Sequence, residues 1–299
     1  MSLVMLFCIT ILSAQEFSMD LVKNMKPRNI GPGGMSGRVT AIDAVHSNPD
    51  IMYVGTASGG LWKSTSGGIK WEPIFDNEVT ASIGSIAIQQ SNPSVIWVGT
   101  GEGNPRNSLN GGYGIFKSLD AGKTWKHIGL EASRHISDII IHPNNPDIFY
   151  VTVQGSQYGP SLQRGVYRTQ DGGTNWQRVL YVDDITGASS LSMDMNNPRI
   201  LYASMWQHQR YPWIMESGGD TSGLYKSTDG GSTWEQMKNG LPKEFGKSGI
   251  SVSRANSNRV FAVIEAEGEK AGVYRSDNAG KKWPSITPVK IQRPTQTDK

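Results

Sequence analysis

The 299-residue chain has one cysteine, Cys8, and it lies in the apolar stretch MSLVMLFCITILSA that opens the sequence. Beyond that stretch there is no thiol, which excludes a disulfide framework, a cysteine-ligated metal and a cysteine nucleophile. Charge is also scarce. Only 18% of residues are charged, the formal net charge is +3, and Lys and Arg are scattered singly. No basic stripe of the kind that binds nucleic acid is present. Long apolar runs are missing beyond residue 14, and so are helix-length amphipathic stretches. The opening 14 residues are too short to span a bilayer and read as a secretory signal peptide cleaved near Ala14. The expectation is export, with no membrane span in the mature chain.

Glycine is abundant, at 35 residues, with 15 prolines. Much of it falls in one recurring stretch. Ser227-Thr228-Asp229-Gly230-Gly231-Ser232-Thr233-Trp234 has counterparts ending at Trp71, Trp125, Trp176 and Trp283, so the tryptophans stand 54, 51, 58 and 49 residues apart. Recurrence at this period signals repeated supersecondary units. Asp120, Asp171 and Asp229 hold one position of the stretch, with Ser66 and Asn278 in the first and last copies. A short Ser/Thr-x-Asp-x-Gly run bends the chain, because the carboxylate and hydroxyl bond nearby N–H groups and glycine takes positive φ. The Trp is expected to pack back over the turn, making a hairpin clasp.

Each clasp follows a Gly-apolar-aromatic-basic-Ser/Thr segment, such as Gly223-Leu224-Tyr225-Lys226-Ser227, that reads as a strand. Before it lie a turn, usually Asn-Pro, and two further strands, the first being Val39 to Ala44, Ile83 to Ile88, Ile136 to Ile141, Ala188 to Met193 and Gly249 to Ser253. A short strand follows the clasp. Four antiparallel strands at this period predict an all-β fold, a β-propeller of four-stranded blades. Five blades are expected, at 33–77, 78–131, 132–183, 184–245 and 246–288, either closing a ring by themselves or forming part of a larger propeller in a longer chain with further domains. Residues 15–32 form an N-terminal segment that could supply a ring-closing strand, and 289–299 a polar tail. The basic residues Lys63, Lys117, Arg168, Lys226 and Arg275 read as solvated positions beside the clasps.

The clasp resembles the Asp box of the bacterial neuraminidase (BNR) repeat, in which it joins the two outer strands of a blade away from the ligand face. From Val39 to Trp283 the chain is similar to sortilin and xyloglucanase-type propellers, and to secreted bacterial proteins described as BNR-repeat glycosyl hydrolases. That resemblance implies a glycan or peptide ligand. In the xyloglucanase family a catalytic Asp precedes a Gly-Gly pair after the second strand. Here Tyr53-Val54-Gly55-Thr56-Ala57-Ser58-Gly59-Gly60 carries Ala57 in that place, and alanine transfers no proton. The sialidase Arg-Ile-Pro pattern is absent as well.

Ligand contacts of such a fold fall in loops at one end. Candidates are Arg38, Glu102, Arg106, Arg134, His135, Trp206, His208 and Arg210, with aromatic faces for rings and charges and amides for hydroxyls. The main expectation is a secreted binding module without a complete catalytic site. The alternative is a glycoside hydrolase, for which Glu102 and Glu265, in equivalent loops, are the candidate carboxylates. The five histidines lack ligand spacing, and each clasp offers one carboxylate where Ca²⁺ wants about six oxygens, so neither metal nor cofactor is expected.

Overall fold

The computed structural model describes Ser18, Asp20, Met25, residues 38–106 and residues 108–288. The signal peptide, most of the N-terminal segment and the C-terminal tail expected from the sequence lie outside these residues. Everything below belongs to the unit Met35–Lys299.

Among the described residues, twenty-one strands form five antiparallel sheets. The first sheet is β1 (Val39–Ala44), β2 (Met52–Thr56), β3 (Leu61–Ser64) and β4 (Glu72–Pro73). The second is β5 (Ile83–Ile88), β6 (Ile96–Thr100), β7 (Ile115–Ser118) and β8 (Lys126–His127). The third is β9 (Ile136–Ile141), β10 (Phe149–Val153), β11 (Gly165–Thr169) and β12 (Gln177–Leu180). The fourth comprises β13 (Thr186–Met193), β14 (Leu201–Arg210), β15 (Met215–Ser217), β16 (Gly223–Ser227) and β17 (Glu235–Met237). The fifth is β18 (Ser248–Ser253), β19 (Asn256–Ile264), β20 (Gly272–Ser276) and β21 (Ser285–Pro288). Each sheet pairs its strands in chain order, with β15 added on β14. This architecture is consistent with propeller blades. The fourth sheet departs from the sequence reading: β14 continues through Arg210 and turns back into β15, so Trp206 to Arg210 is strand rather than loop.

Consecutive sheets stack face to face, the first strand of each lying against the first strand of the next. Buried apolar side chains accordingly form four clusters, one per gap between sheets. Strands β5 and β6 are buried along their whole length because sheets cover both their faces. Among the described residues no comparable packing joins the fifth sheet to the first.

Polar side chains stitch the same gaps. Ser85 Oγ accepts from Ile139 N at 3.1 Å, Asp138 Oδ2 from Leu191 N at 2.9 Å and Ser190 Oγ from Ile250 N at 3.4 Å. One step along the strands, Asp43 Oδ2 accepts from Ile88 N and Ser192 Oγ from Val252 N. These bonds satisfy N–H groups on the free edge of each innermost strand, which would otherwise be buried without partners. A hydroxyl at the strand bulge makes a second stitch: Thr40 donates to Ile83 O, Ser137 to Ala188 O and Ser189 to Ser248 O. In the second sheet the bulge residue is Gly84, and a Cβ there would collide with the Ile136 and Gly101 carbonyls.

The clasps close as the sequence chemistry requires. In the second sheet Ser118 Oγ donates to Asp120 Oδ1 at 2.8 Å and accepts from Gly122 N at 2.9 Å, while Asp120 Oδ1 takes the N–H groups of Lys123 and Thr124. Asp171 and Asp229 repeat the arrangement. These bonds hold the Asp120 and Asp171 carboxyls down at about 2, the hydroxyl and N–H donors of Thr124 leading for the first and the Asn175 N–H for the second. Ser66 and Asn278 substitute a single acceptor, taking Lys70 N and Lys282 N.

Two sequence expectations need correction here. The tryptophans do more than cover their own turn. Trp234 and Trp283 donate to Gly231 O and Gly280 O within it, but Trp125 and Trp176 donate to Ile74 O and Ile128 O of the preceding sheet. Four of the five repeated basic residues are not solvated markers; Arg275 alone pairs with Asp277 beside its own strand. Lys63 Nζ donates to Ala121 O at 3.0 Å, Arg168 Nη1 to Gly230 O at 2.7 Å and Lys226 Nζ to Ala279 O at 2.7 Å, and Lys117 points at Gly172 O. Each reaches across a gap and latches the clasp of the following sheet. Partial burial lowers the pKa of the Lys63, Lys117 and Lys226 ammonium groups.

Candidate functional site

The loops that precede each first strand and follow each second strand meet at one end of the stack. Arg38, just before β1, forms a two-point pair with Glu102: Nε to Oε1 at 2.7 Å and Nη2 to Oε2 at 2.5 Å. Glu102 is fully buried, and Arg38 stays partly open. A bidentate pair of this kind fixes both side chains. The next residue, Gly103, offers its carbonyl to Gln154 Nε2 at 3.0 Å and to Lys247 Nζ at 2.9 Å. Lys247 also donates to Asn104 Oδ1 at 2.7 Å and stands 5.4 Å from the Trp206 ring. Its own backbone N–H goes to Glu265 Oε2, which also accepts from Ser217 Oγ at 2.7 Å. Lys247, which sequence reasoning missed, thus ties loops of the second, fourth and fifth sheets together. As a lone lysine outside the repeats, it gave no signal in the sequence.

Burial lowers the Lys247 pKa, opposed by the charges of Asp138, Glu102 and Glu265. Asp138, on β9, moves the other way: burial pushes its carboxyl up to about 6, opposed by the bonds from Leu191 and Ser190. It too is a carboxylate that sequence reasoning missed, since it sits mid-strand among isoleucines and reads as an outward-facing residue.

A second knot lies beside the first. Arg164 is fully buried and donates through Nη2 to Ser156 O at 2.7 Å, while Nη1 approaches His208 Nδ1 at 3.2 Å and Nε2 at 3.4 Å. His208 Nδ1 also lies 3.0 Å from Trp206 O, a contact that suits a neutral imidazole with its proton on Nδ1. The imidazole stacks on Trp206 with ring centres 4.0 Å apart. Burial and then Arg164 hold His208 down at about 3, and burial holds His135 down at about 4. Both are neutral above pH 5. Three atoms in this region are buried without a hydrogen-bond partner: His135 Nδ1, Gln157 Oε1 and Arg164 Nε.

The remaining sequence candidates fall at the margin. Arg106 and Arg134 are exposed, and Arg134 takes φ 63° while its carbonyl accepts from Gly112 N. Arg210 ends β14, its N–H bound to Gln157 O at 2.7 Å. Beyond it the β14–β15 hairpin carries Tyr211 and Trp213, stacked with ring centres 5.8 Å apart, and Trp213 is 80% exposed. At the base of that hairpin a cleft of about 350 Å³ opens against His208 and Ser217. Ala57 is buried, its N–H on Arg38 O. The structure therefore joins Arg38 to Glu102 and gathers His135, Trp206 and His208 nearby, and it leaves Arg106 and Arg134 outside that network. Lys247 bonds Glu265 through its backbone N–H and Gly103, the residue after Glu102, through its ammonium. Among the described residues no cluster of three or more metal-ligating side chains occurs, and no helix is long and apolar enough to cross a membrane.

No protein-family profile matches the chain. A xyloglucanase of Paenibacillus sp is 22% identical over 236 residues, covering 69% of this chain and 22% of that protein. A xyloglucanase of Hypocrea jecorina (strain QM6a) is 24% identical over 227 residues, covering 69% and 26%. The chain thus spans about a quarter of the length of these curated relatives. Among solved structures, an ancestral GH74 enzyme superposes with TM-score 0.64 at 22% identity, over 84% of this chain and 33% of the other. The GH74 enzyme of Niastella koreensis superposes with TM-score 0.60 at 19% identity, over 82% and 37%. What these likenesses share with the chain is the fold, an all-β arrangement of propeller type.

Proposed function

We propose that the chain is a carbohydrate-directed β-propeller of the glycoside hydrolase type, its clasps being Asp boxes and its five sheets blades, exported by the apolar segment at residues 1–14. The observation that carries the reading is the β14–β15 hairpin. It holds Trp213 in solvent, stacked on a half-buried Tyr211, beside a cleft lined by Gln207, Gln209 and Glu216 as well as Ile214 and Met215, on a fold shared with xyloglucanases. An exposed indole face suits the apolar face of a sugar ring, and the adjoining amides and charges suit its hydroxyls. The relatives favour a hydrolase over the binding module expected from the sequence.

Bond cleavage needs an acid and a second carboxylate. Glu102 is engaged with both oxygens on Arg38, which suits anchoring rather than proton transfer. Asp138 has a raised pKa, but its Oδ2 is held by Leu191 N between sheets, which suits scaffolding, and Glu265, bonded by Ser217 Oγ and Lys247 N, is the candidate carboxylate on these loops. One observation favours binding without turnover: Ala57 stands where the xyloglucanase pattern carries its Asp.

The test is titration with xyloglucan oligosaccharides and other plant β-glucans, together with a reducing-sugar assay. Trp213→Ala is expected to weaken binding at least about tenfold, as loss of a stacking face of about 1.5 kcal/mol does. If turnover occurs, Glu265→Gln is expected to abolish it while oligosaccharide binding persists. Absence of binding to every glycan would overturn the proposal. Binding by wild type without reducing ends would retain the ligand and reject the hydrolase.

A further inference from the structure

Among the described residues four other than glycine sit at positive φ: Ala121, Leu130, Arg134 and Ala279. A backbone in this region crowds Cβ against the carbonyl, so a side chain there strains the chain where glycine would not. Three of the four have their reason in the fold. Ala121 and Ala279 hold the clasp position that Gly67, Gly172 and Gly230 hold elsewhere, and they add only a methyl group. Leu130, with φ 58°, packs its side chain against the apolar cluster between the second and third sheets.

Arg134 has no such reason. Its φ of 63° and ψ of −52° close a three-residue turn in which His135 N–H donates to Ser133 O at 2.7 Å, the strained form of that turn. The turn itself serves the fold. Arg134 O accepts from Gly112 N at 2.6 Å, and a Cβ on Gly101 would collide with that oxygen. Only the backbone takes part, and glycine would make the same turn without strain. The Arg134 side chain is exposed, and among the described residues it makes no hydrogen bond or ion pair. A Cβ placed on Gly111 would stand 3.8 Å from its Nη1 and 3.9 Å from its Cδ, so the guanidinium rests beside the loop that joins β6 to β7.

The surroundings set the charge of the missing partner. Glu102, on the neighbouring loop, is fully buried and holds both oxygens on Arg38. Glu131, three residues before Arg134, stands 3.5 Å from His127 Nδ1. Arg106, on the loop after Glu102, is exposed as well. This end of the second and third sheets therefore shows solvent two guanidinium groups that, among the described residues, have no paired carboxylate. Arginine keeps its charge at any working pH, and its planar fork meets a carboxylate at two points. We propose that Arg134 binds an acid group carried by a glycan, a uronate carboxylate or a sulfate ester, and makes the chain selective for acidic over neutral sugars. The proposal rests on the carbohydrate reading above. What carries it is a strained backbone holding a charged side chain at the loop end, where glycine would have served the fold alone.

The test is calorimetric titration with galacturonic acid oligomers, the same oligomers with methyl-esterified carboxyls, sulfated and unsulfated galactan oligosaccharides, and neutral xyloglucan oligosaccharides. Wild type is expected to bind an acidic oligomer at least about tenfold more tightly than its uncharged counterpart, with a preference that shrinks as salt rises. The uronate and sulfate arms tell the two acid groups apart. Arg134→Gly is expected to abolish the preference while the urea midpoint holds or rises. Arg134→Ala, which keeps the strain, is expected to abolish it without a rise. Affinity for the neutral oligosaccharides is expected to be unchanged in both. Equal affinity of wild type for acidic and neutral glycans overturns the proposal and leaves the carbohydrate reading standing, whereas binding to no glycan removes both. A preference that survives Arg134→Gly also overturns it. So does a midpoint that falls in Arg134→Gly, since the side chain would then serve the fold.

Discussion

Where the outer hairpins close, the same hydrogen bonds recur sheet after sheet: hydroxyl to glycine N–H, carboxylate to the next two N–H groups, and a basic latch from the sheet before. Where the inner loops meet, no hydrogen-bond pattern recurs from sheet to sheet. The first gives Arg38, the second Glu102, the third Arg164, the fourth Trp206 and His208, and the fifth Lys247 and Glu265. Repetition marks what every sheet needs in order to stack. Its absence marks the end of the stack whose loops are free to differ, which is where a ligand of the kind proposed above would meet several sheets at once.

The comparison can be broken most forcefully at the rim. Trp283 is fully buried in the fifth sheet's cluster, so Trp283→Ala is expected to cost about 3–5 kcal/mol in denaturant unfolding. Trp213→Ala, at the hairpin tip, is expected to leave stability within about 0.5 kcal/mol. Equal losses at the two sites would erase the distinction.

Acid tests the inner cluster next. His208 and His135 are held at about 3 and about 4 in the fold, against 6.5 when free. The unfolded chain takes up their protons as pH falls below 6.5 while the fold does not, so stability is lost from there down toward pH 4. Asp138, raised from 3.8 to about 6, works in the opposite sense: the fold binds its proton first and gains stability as pH falls below 6. The histidines outweigh it, and a net loss on the order of 2–3 kcal/mol by pH 4.5 is expected in urea titrations. His208→Gln should flatten the profile, and Asp138→Asn should steepen it. A profile flat from pH 7 to 4.5 in the wild type would show that the imidazoles are not held neutral. The clasp carboxylates, lowered from 3.8 to about 2 at Asp120 and Asp171, enter only below pH 4.

Gly84→Ala places a Cβ against the Ile136 and Gly101 carbonyls and is expected to cost about 1–3 kcal/mol, read as a shifted urea midpoint. The smallest contrast is the sharpest. Lys226→Met removes a latch that spans a junction and is expected to cost about 1 kcal/mol. Arg275→Met removes the matching residue of the fifth sheet, which pairs with Asp277 instead, and stability is expected to be unchanged within about 0.5 kcal/mol.

The period of the tryptophans, the alternation of the strands and the turn chemistry of the clasps are local signals, and the sequence alone determined from them an all-β chain of four-stranded units. The innermost strands Val39–Ala44, Ile83–Ile88 and Ile136–Ile141 appear with the bounds read from the pattern. Only the tertiary structure decided which residues share a site. Arg38 and Glu102 are 64 positions apart, Lys247 and Asn104 are 143 apart, and nothing in either neighbourhood announces the other. The latches escaped notice for the same reason. Lys226 beside a turn looks like any solvated lysine until the next sheet, whose clasp lies some 50 residues on, supplies the carbonyl of Ala279. Backbone bending and strand period depend on a residue and its near neighbours. Burial, charge and hydrogen-bond partnership depend on what the folded chain brings alongside.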